Sequence, residues 1–257
     1  MTTNTLHLTK NYLFKYSAVI LDLSGTIIDF GVHVPFLALS NAFIMNGINI
    51  PSNKIRKNMG INNQLMIKNL CNQYNVPNKY YSVYKEYENQ LYVLNTCKEH
   101  TTPINQAVET TINLKKHGFK IGLTTNYNRN VFNLIEKSLS KHGFVFDVIA
   151  CNNDVLCEHN DLLTLQKVVY LLDVPHEQCL KIGESSLNIL EGLYANIDTL
   201  NLIDSSNAMG MDEQHFDDTC EKIKCIKRMD IINKLMNNNM PKYYAHNIGE
   251  INKLLLV

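Results

Sequence analysis

Short apolar runs that alternate with helical segments constrain the fold of this 257-residue chain more than any other feature. There are five such runs: SAVILDL (17–23), FKIGLTT (119–125), FDVIACN (146–152), CLKIGE (179–184) and ANIDTLNLI (195–203). Between them lie stretches such as NQAVETTINLKKHG (105–118), where apolar residues recur every three or four positions and His117 and Gly118 end the helix. Strands alternating with helices predict an α/β fold, in which helices flank a parallel sheet.

The region between about residues 34 and 100 has helical patterns with no strand pattern between them. It therefore predicts a helical insertion after the first strand. Within it, Tyr80, Tyr84 and Tyr87 stand at i, i+4 and i+7, which places them on one helix face. Such a stripe favours packing, and a ligand or partner surface stays open as the alternative.

Composition limits the partners that this chain can have. Lys plus Arg equal Asp plus Glu at 24 each, so there is no global electrostatic reason to expect a nucleic acid or a membrane surface as partner. No run of about 18 uncharged apolar residues occurs. The seven cysteines form no CxxC pair, and an odd number suits reduced thiols. These features predict a soluble, cytoplasmic protein.

Polar residues follow four of the predicted strands: Asp22 and Ser24, Thr125 and Asn126, Asn152 and Asp154, Glu184 and Ser185. Ligands of open parallel sheets bind at the carboxyl ends of the strands. The four strand ends therefore predict one shared site, although loops are often polar for no functional reason.

The order and type of these residues resemble the haloacid dehalogenase superfamily. Asp22 followed by Gly25, Thr26 and Asp29 resembles its first motif, Thr125 its second, and GESSLNILEG (183–192) its fourth. The stretches LDLSGTIIDFG, NMG (58–60), TPINQAVETTINLKKHGFKIGLTTNYNRN (102–130) and NNDV (152–155) resemble the phosphonoacetaldehyde hydrolase family within it, over essentially the whole chain. That resemblance implies a Rossmann-like core at 1–32 and 101–257, an all-helical cap at 33–100, and a homodimer formed through the cap.

The resemblance also implies roles for individual residues. Asp22 would attack phosphorus and form an aspartyl phosphate, and Thr125 would donate its hydroxyl to a phosphoryl oxygen. Ser24 fits the phosphonate enzymes, which carry a small residue where superfamily phosphatases have an acid. The ligand would be a small phosphorylated or phosphonate compound. Seven residues would contact it: Ser24, Gly25, Thr26, Met59, Gly60, Asn126 and Tyr127.

The chain departs from the family pattern at three functional sites. The third motif requires a fixed cation, and the aligned residue is His159, whose neutral imidazole brings no charge; Lys167 is the nearby substitute. Magnesium would be held by Asp22, the backbone carbonyl of Ser24, Glu184 and Asn188, where the family has two aspartates in the last two places. Because Mg²⁺ requires near-ideal octahedral geometry, the expected binding of Mg²⁺ is weak or absent.

The third departure lies in the cap. The family cleaves its carbon–phosphorus bond through a Schiff base formed by a lysine, and that position is Asn63, whose amide cannot form an imine. Lys68 lies five residues further along the helix, which rotates it by about 140° away from Asn63.

Three functions remain open from the sequence. The first is a degenerate member that binds a ligand or partner without cleaving the carbon–phosphorus bond. The second is an active phosphohydrolase that uses Asp22 on a phosphate ester or anhydride, and the third is the family's own reaction with replaced residues. Losses at three separate steps favour the first, and whether the chain is an enzyme stays undecided at this level.

Overall fold

The computed structural model describes residues 15–29, 32–59, 63–155, 161–202, 204 and 242–256. Two of the predicted site residues, Gly60 and His159, lie outside these ranges. None of the described helices is long and apolar enough to cross a lipid bilayer.

A six-stranded sheet forms the centre of the molecule. Its strands are β1 (Ala18–Asp22), β2 (Lys120–Thr125), β3 (Val148–Cys151), β4 (Cys179–Gly183), β5 (Asp198–Leu202) and β6 (Lys242–Ala245). They lie in the order β3-β2-β1-β4-β5-β6, and every neighbouring pair is parallel. The α/β fold with a parallel sheet is thus confirmed, and β6 adds an edge strand beyond the five apolar runs.

Helices cover both faces of the sheet. They are α5 (Ala107–Lys116), α6 (Arg129–Lys141), α7 (Asp161–Leu172), α8 (Ser186–Ala195) and α9 (Glu250–Leu255). Because side chains alternate along a strand, Val19 and Leu21 of β1 share a core with α5, α6 and α9. Ala18 and Ile20 point the other way and pack with α7 and the end of α8.

One glycine allows α7 to lie close to the sheet. A Cβ at Gly122 of β2 would stand 2.4 Å from Cγ1 of Val168, so no larger residue fits there without displacing the helix.

Four of the described α-helices lie between β1 and residue 100, which agrees with the predicted helical insertion. They are α1 (His33–Met45), α2 (Ser52–Asn58), α3 (Asn63–Gln73) and α4 (Tyr80–Leu94). Helix α1 packs along α4, and α3 also contacts α4. The proposed limits of the cap at residues 33 and 100 stay a prediction.

The two connections between the sheet and these helices run side by side. The Ile104 N–H donates to the Ile27 carbonyl at 2.8 Å, and Ile28 bridges Pro103. The outgoing connection is a tight loop in which the Gly25 N–H donates to the Ile28 carbonyl at 2.7 Å. Both connections therefore lie next to the carboxyl end of β1.

The tyrosine stripe of α4 is divided between two roles. Tyr80 and Tyr84 are partly buried and stacked, with ring centroids 6.2 Å apart. Tyr87 is fully buried. Packing accounts for the first two rings, whereas Tyr87 also borders the cavity described next.

Candidate active site

The carboxyl ends of β1, β2 and β4 open into one cavity of about 80 Å³. Nine of the predicted site residues line it: Asp22, Ser24, Met59, Asn63, Thr125, Asn126, Tyr127, Glu184 and Asn188. Core strands supply its floor, and helices of the insertion supply its roof. The structure therefore brings together residues that lie up to 166 positions apart in the sequence.

The loop after β1 shapes the cavity without lining it at every residue. Gly25 has φ +76°, a left-handed conformation that favours glycine, and an added Cβ would lie 2.4 Å from Cγ of Glu184. Thr26 is fully buried, and its hydroxyl has no hydrogen-bond partner among the described residues. Neither residue is among those that line the cavity.

Thr125 is placed to donate a hydrogen bond. Its side-chain oxygen already accepts the Tyr127 backbone N–H at 3.2 Å, so its own proton is available for another acceptor. Tyr127 in turn accepts a hydrogen bond from the Ser24 hydroxyl at 3.2 Å. The ends of β1 and β2 are therefore joined beside Asp22.

The carboxyl groups of Glu184 and Asp22 share this end of the sheet. Burial and the neighbouring negative charge of Asp22 raise the pKa of Glu184 well above its usual range. One of its oxygens, Oε2, is buried and has no hydrogen-bond partner among the described residues. A buried carboxylate oxygen beside a second carboxylate is the arrangement that a divalent cation would stabilise.

Asn188 has a different local role. It stands in the first turn of α8, where its Oδ1 accepts the backbone N–H of Ser185 at 3.1 Å and the Ser185 hydroxyl at 2.9 Å. Both lone pairs of that oxygen are thereby used in capping the helix. Of the four predicted metal ligands, the side chains that remain available are thus the Asp22 and Glu184 carboxylates. No group of three or more His, Cys, Asp or Glu side chains able to hold a metal ion occurs in the described part of the chain.

A buried lysine beneath the site was not predicted from the sequence. Lys181, at the middle of β4, is fully buried. Its Nζ donates to the Thr124 hydroxyl and lies 3.5 Å from Oε2 of Glu191 in α8. Lys181 favours the charged form of Glu184, whereas Glu191 opposes it. The sequence does contain a signal of this buried lysine, because Lys181 interrupts the apolar run CLKIGE on a central strand.

The cap side of the cavity carries no described lysine. Asn63 begins α3 and lines the cavity together with Met66 and Met59. Lys68 lies instead on a separate surface groove with Gln64 and Leu65, as its helical rotation predicts. A roof of amide and thioether groups can bind a ligand, but it cannot form an imine.

Lys167 is also occupied elsewhere. Its Nζ donates to the backbone carbonyl of Asp154 at 2.7 Å, and it is not among the residues that line the cavity. The Asp154 carboxylate forms an ion pair with Arg129.

The sequence pattern of haloacid dehalogenase-like hydrolases matches residues 19–202. The chain belongs to this family. The match begins in β1 and ends in β5, so it spans the strands that position the site.

Two relatives of this chain carry the name phosphonoacetaldehyde hydrolase. The chain is 27% identical over 249 residues to the phosphonoacetaldehyde hydrolase of Latilactobacillus sakei, covering 92% of this chain and 94% of that protein. It is also 27% identical to a bifunctional phosphonoacetaldehyde hydrolase/aminoethylphosphonate transaminase of Clostridioides difficile, where it covers 96% of this chain but only 41% of the relative. This haloacid dehalogenase-like chain is therefore a divergent relative of proteins named phosphonoacetaldehyde hydrolase.

Solved structures share the fold of this chain. A phosphonoacetaldehyde hydrolase-like protein from Oleispira antarctica superposes with a TM-score of 0.78 at 21% identity, covering 95% of this chain and 92% of that one. A putative phosphoglycolate phosphatase from Lactobacillus plantarum gives a TM-score of 0.64 at 14% identity, covering 93% and 99%.

Proposed function

We propose that this haloacid dehalogenase-like chain binds a small phosphorylated or phosphonate ligand in the cavity at Asp22 and has lost the imine route to carbon–phosphorus cleavage. The carrying observation is the position of Asn63. Its carboxamide lines the cavity where the family resemblance requires an amine, and no described lining residue is a lysine. Without an imine, the electrons released when the carbon–phosphorus bond breaks have no acceptor.

The phosphoryl end of the ligand has a defined place in this proposal. Thr125 has a free proton for a phosphoryl oxygen, and the Asp22 carboxylate lies at the end of the neighbouring strand. A divalent cation held by Asp22 and Glu184 would offset the negative charge of the phosphoryl group. By its resemblance to the phosphonoacetaldehyde hydrolase family, the chain would use Asp22 as its nucleophile.

The retained Asp22 supports a second candidate, hydrolysis of a phosphate ester or anhydride. The Asp22 carboxylate would attack phosphorus, the bond to the leaving oxygen would break, and water would then release inorganic phosphate and restore Asp22. This route needs no amine, so Asn63 does not impede it. Ser24 is a poor acid for the leaving oxygen, which favours anhydrides as substrates.

Restoring the lysine tests the first candidate. We expect wild-type protein to release no phosphate from phosphonoacetaldehyde and to form no borohydride-stable adduct. Asn63→Lys should place an amine in the cavity, so borohydride should trap the aldehyde on residue 63, as peptide mass spectrometry would detect.

Leu65→Lys is the matched control, because Leu65 belongs to the same helix but is 51% exposed and lies outside the cavity. The Latilactobacillus sakei relative serves as a positive control for the assay. Phosphate release by the wild-type chain, or trapping on one of its own lysines, would contradict the proposal. Phosphate released from esters or anhydrides and lost in Asp22→Asn would establish the second candidate.

A further inference from the structure

No described residue that lines the cavity carries a positive charge, although the acids Asp22 and Glu184 both line it. Two carboxylates repel an anion such as a phosphoryl group unless a nearby positive charge offsets them. Among the Lys and Arg residues whose side chains the structure describes, Lys181 alone is buried, at 0% exposed. The position of Lys181 relative to the two acids therefore decides whether its charge can act on the cavity.

The register of the sheet places Lys181 close to Asp22. In the parallel pair of β1 and β4, Ile20 stands opposite Lys181, and in the pair of β1 and β2, Asp22 stands opposite Thr124. Side chains of residues that stand opposite each other in a parallel pair, and of alternate residues in one strand, lie on the same face of a sheet. All four side chains therefore belong to the face that α7 and α8 cover.

The Lys181 side chain crosses β1 on that face. Its backbone belongs to β4, its Nζ donates to the Thr124 hydroxyl of β2, and β1 lies between these two strands. The side chain also extends toward the carboxyl end of the sheet, from the level of Ile20 to the level of Asp22. The ammonium group thus lies about one strand spacing, about 5 Å, from the backbone of Asp22.

The acid that pairs with Lys181 stands further from the cavity. Oε2 of Glu191 lies 3.5 Å from Nζ of Lys181. Asn188 lines the cavity from the first turn of α8, and Glu191 stands three residues, about 4.5 Å, further along this helix. Burial raises the pKa of Glu184 well above its usual range, and the opposing effect of Lys181 exceeds the further rise that Glu191 causes. The pair therefore acts on the strand ends as a net positive charge.

We propose that Lys181 is the fixed positive charge of this site, a positioning residue that offsets the Asp22 and Glu184 carboxylates from beneath β1 and so allows a phosphoryl anion to bind beside them. The inference rests on the proposed function and adds to it the group that balances its charge. Lys181 acts through its electric field rather than by contact, since it does not line the cavity. Lys167, the substitute that the sequence suggested, donates instead to the Asp154 carbonyl.

Removing the charge should move the affinities for an anion and a cation in opposite directions. In Lys181→Met, inorganic phosphate at saturating Mg²⁺ should bind about tenfold more weakly, the effect of a unit charge about 10 Å away at the effective dielectric of a protein. Mg²⁺ alone should bind about tenfold more tightly, because a doubly charged ion gains more from the loss of Lys181 than the proton that competes for Glu184. Melting-temperature titrations of the full chain would give both dissociation constants.

A merely structural lysine would not produce opposite shifts, because a distorted site would bind both ions more weakly. Lys181→Met leaves Glu191 buried without its cation, which is destabilising. Lys181→Met/Glu191→Gln removes both charges, so it should melt at a higher temperature than the single variant and still bind phosphate more weakly than wild type. Glu191→Gln alone keeps Lys181 and should give the reverse pair of shifts, tighter phosphate and weaker Mg²⁺.

Lys120→Met is the matched control. Lys120 lies at the amino end of β2, about 13 Å along the strand from Thr124, and its Nζ donates to the Leu172 carbonyl at 2.6 Å. The same formal charge is removed there, far from the cavity, so phosphate and Mg²⁺ should bind as they bind to wild type.

The outcomes separate the inference from the function on which it rests. Unchanged affinities in Lys181→Met and Glu191→Gln, or shifts of both ions in the same direction, would overturn the role of Lys181. Equal shifts in Lys120→Met would overturn it too, because the net charge of the chain would then control binding. Failure of wild type to bind phosphate would overturn the proposed function itself, and the Mg²⁺ shifts would still test the effect of Lys181 on the two carboxylates.

Discussion

At the scale of single residues, the contact between Gly25 and Glu184 explains how a longer acid is accommodated in the site. The family resemblance places an aspartate at position 184, and glutamate adds one methylene. That methylene, Cγ, packs directly over the α-carbon of Gly25. Sequence alone identified both residues as site residues, but it could not show that one depends on the other, because they are 159 positions apart.

Gly25→Ala should therefore be more destabilising than an ordinary substitution at a left-handed glycine. The backbone strain at φ +76° costs about 1 kcal/mol, and the overlap with Glu184 should add about 1–3 kcal/mol. Urea unfolding would measure the loss of unfolding free energy.

Gly118→Ala is the matched control, since Gly118 has φ +85° and nothing lies within 4 Å of an added Cβ. Gly118→Ala should lose only the unfolding free energy that the backbone strain costs. In the Glu184→Ala background, Gly25→Ala should lose less than in wild type, because the overlapping Cγ atom is absent. Equal losses at Gly25 and Gly118 would show that the two residues are not in contact in solution.

At the scale of secondary-structure elements, the five strands that follow the apolar-run pattern were predictable, and their bounds differ from those of the runs by at most three residues. Edge strand β6 was not predictable, because KYYA is short and its packing is set by β5, which lies about 40 residues earlier. The position of Tyr87 beside the cavity was equally hidden. The i, i+4, i+7 spacing assigns a residue to a helix face, but it cannot show whether that face meets a core or a cavity.

A titratable carboxyl group lies just before α1 and should make the stability of the protein depend on pH. The Asp29 carboxylate accepts the backbone N–H groups of His33 at 2.9 Å and Val34 at 3.0 Å. Burial nevertheless raises its pKa to about 7, against the lowering effect of these bonds and of Arg56. From the sequence, Asp29 could be identified only as part of a motif, since burial is a property of the folded chain.

The stability of the protein should therefore fall with rising pH through this window. Between about pH 4 and 7, folded Asp29 holds a proton that the unfolded chain has already lost, so unfolding releases it and becomes easier as pH rises. The slope from this one group is at most about 1.4 kcal/mol per pH unit. Asp29→Asn should remove that slope, which unfolding titrations at several pH values would detect as a growing advantage of the variant toward pH 7.

Asp147→Asn provides a control of opposite sign. Burial of Asp147 is outweighed by hydrogen bonds from Lys115 and the Ile121 N–H, so its pKa is lowered. Asp147 is then ionised in both states above about pH 5, and its difference from wild type should be flat up to pH 7. Parallel stability curves for wild type and Asp29→Asn would show that Asp29 titrates normally.

At the scale of the whole molecule, the balanced charge conceals a local imbalance. The chain carries 24 basic and 24 acidic residues, yet Asp22, Glu184 and Glu191 gather at one end of the sheet around a single described buried cation, Lys181. The sequence predicted that the strand ends converge, because the carboxyl ends of parallel strands lie at the same edge of the sheet. It could not predict that Asn188 would turn its oxygen into the helix cap, since that choice depends on local backbone geometry.

This imbalance predicts a stabilising effect of Mg²⁺ on the folded chain. A cation between the Asp22 and Glu184 carboxylates relieves their repulsion, and a ligand that binds only the folded state stabilises it by about 1.4 kcal/mol at ten times its dissociation constant. For a chain of this size that corresponds to a rise of about 3–5 °C in melting temperature. With only these two side-chain carboxylates as donors, the rise should require millimolar Mg²⁺.

Calorimetric scans between 0 and about 20 mM Mg²⁺ would measure the effect at pH 8, where the proton that competes for Glu184 is scarcest. Glu184→Gln removes one donor charge and should abolish most of the rise. Glu177→Gln should retain it, because Glu177 is exposed and outside the cavity. If Mg²⁺ shifted wild type and Glu184→Gln equally, the cation would be binding elsewhere on the molecule, and the two carboxylates at the strand ends would owe their arrangement to the Lys181 pair alone.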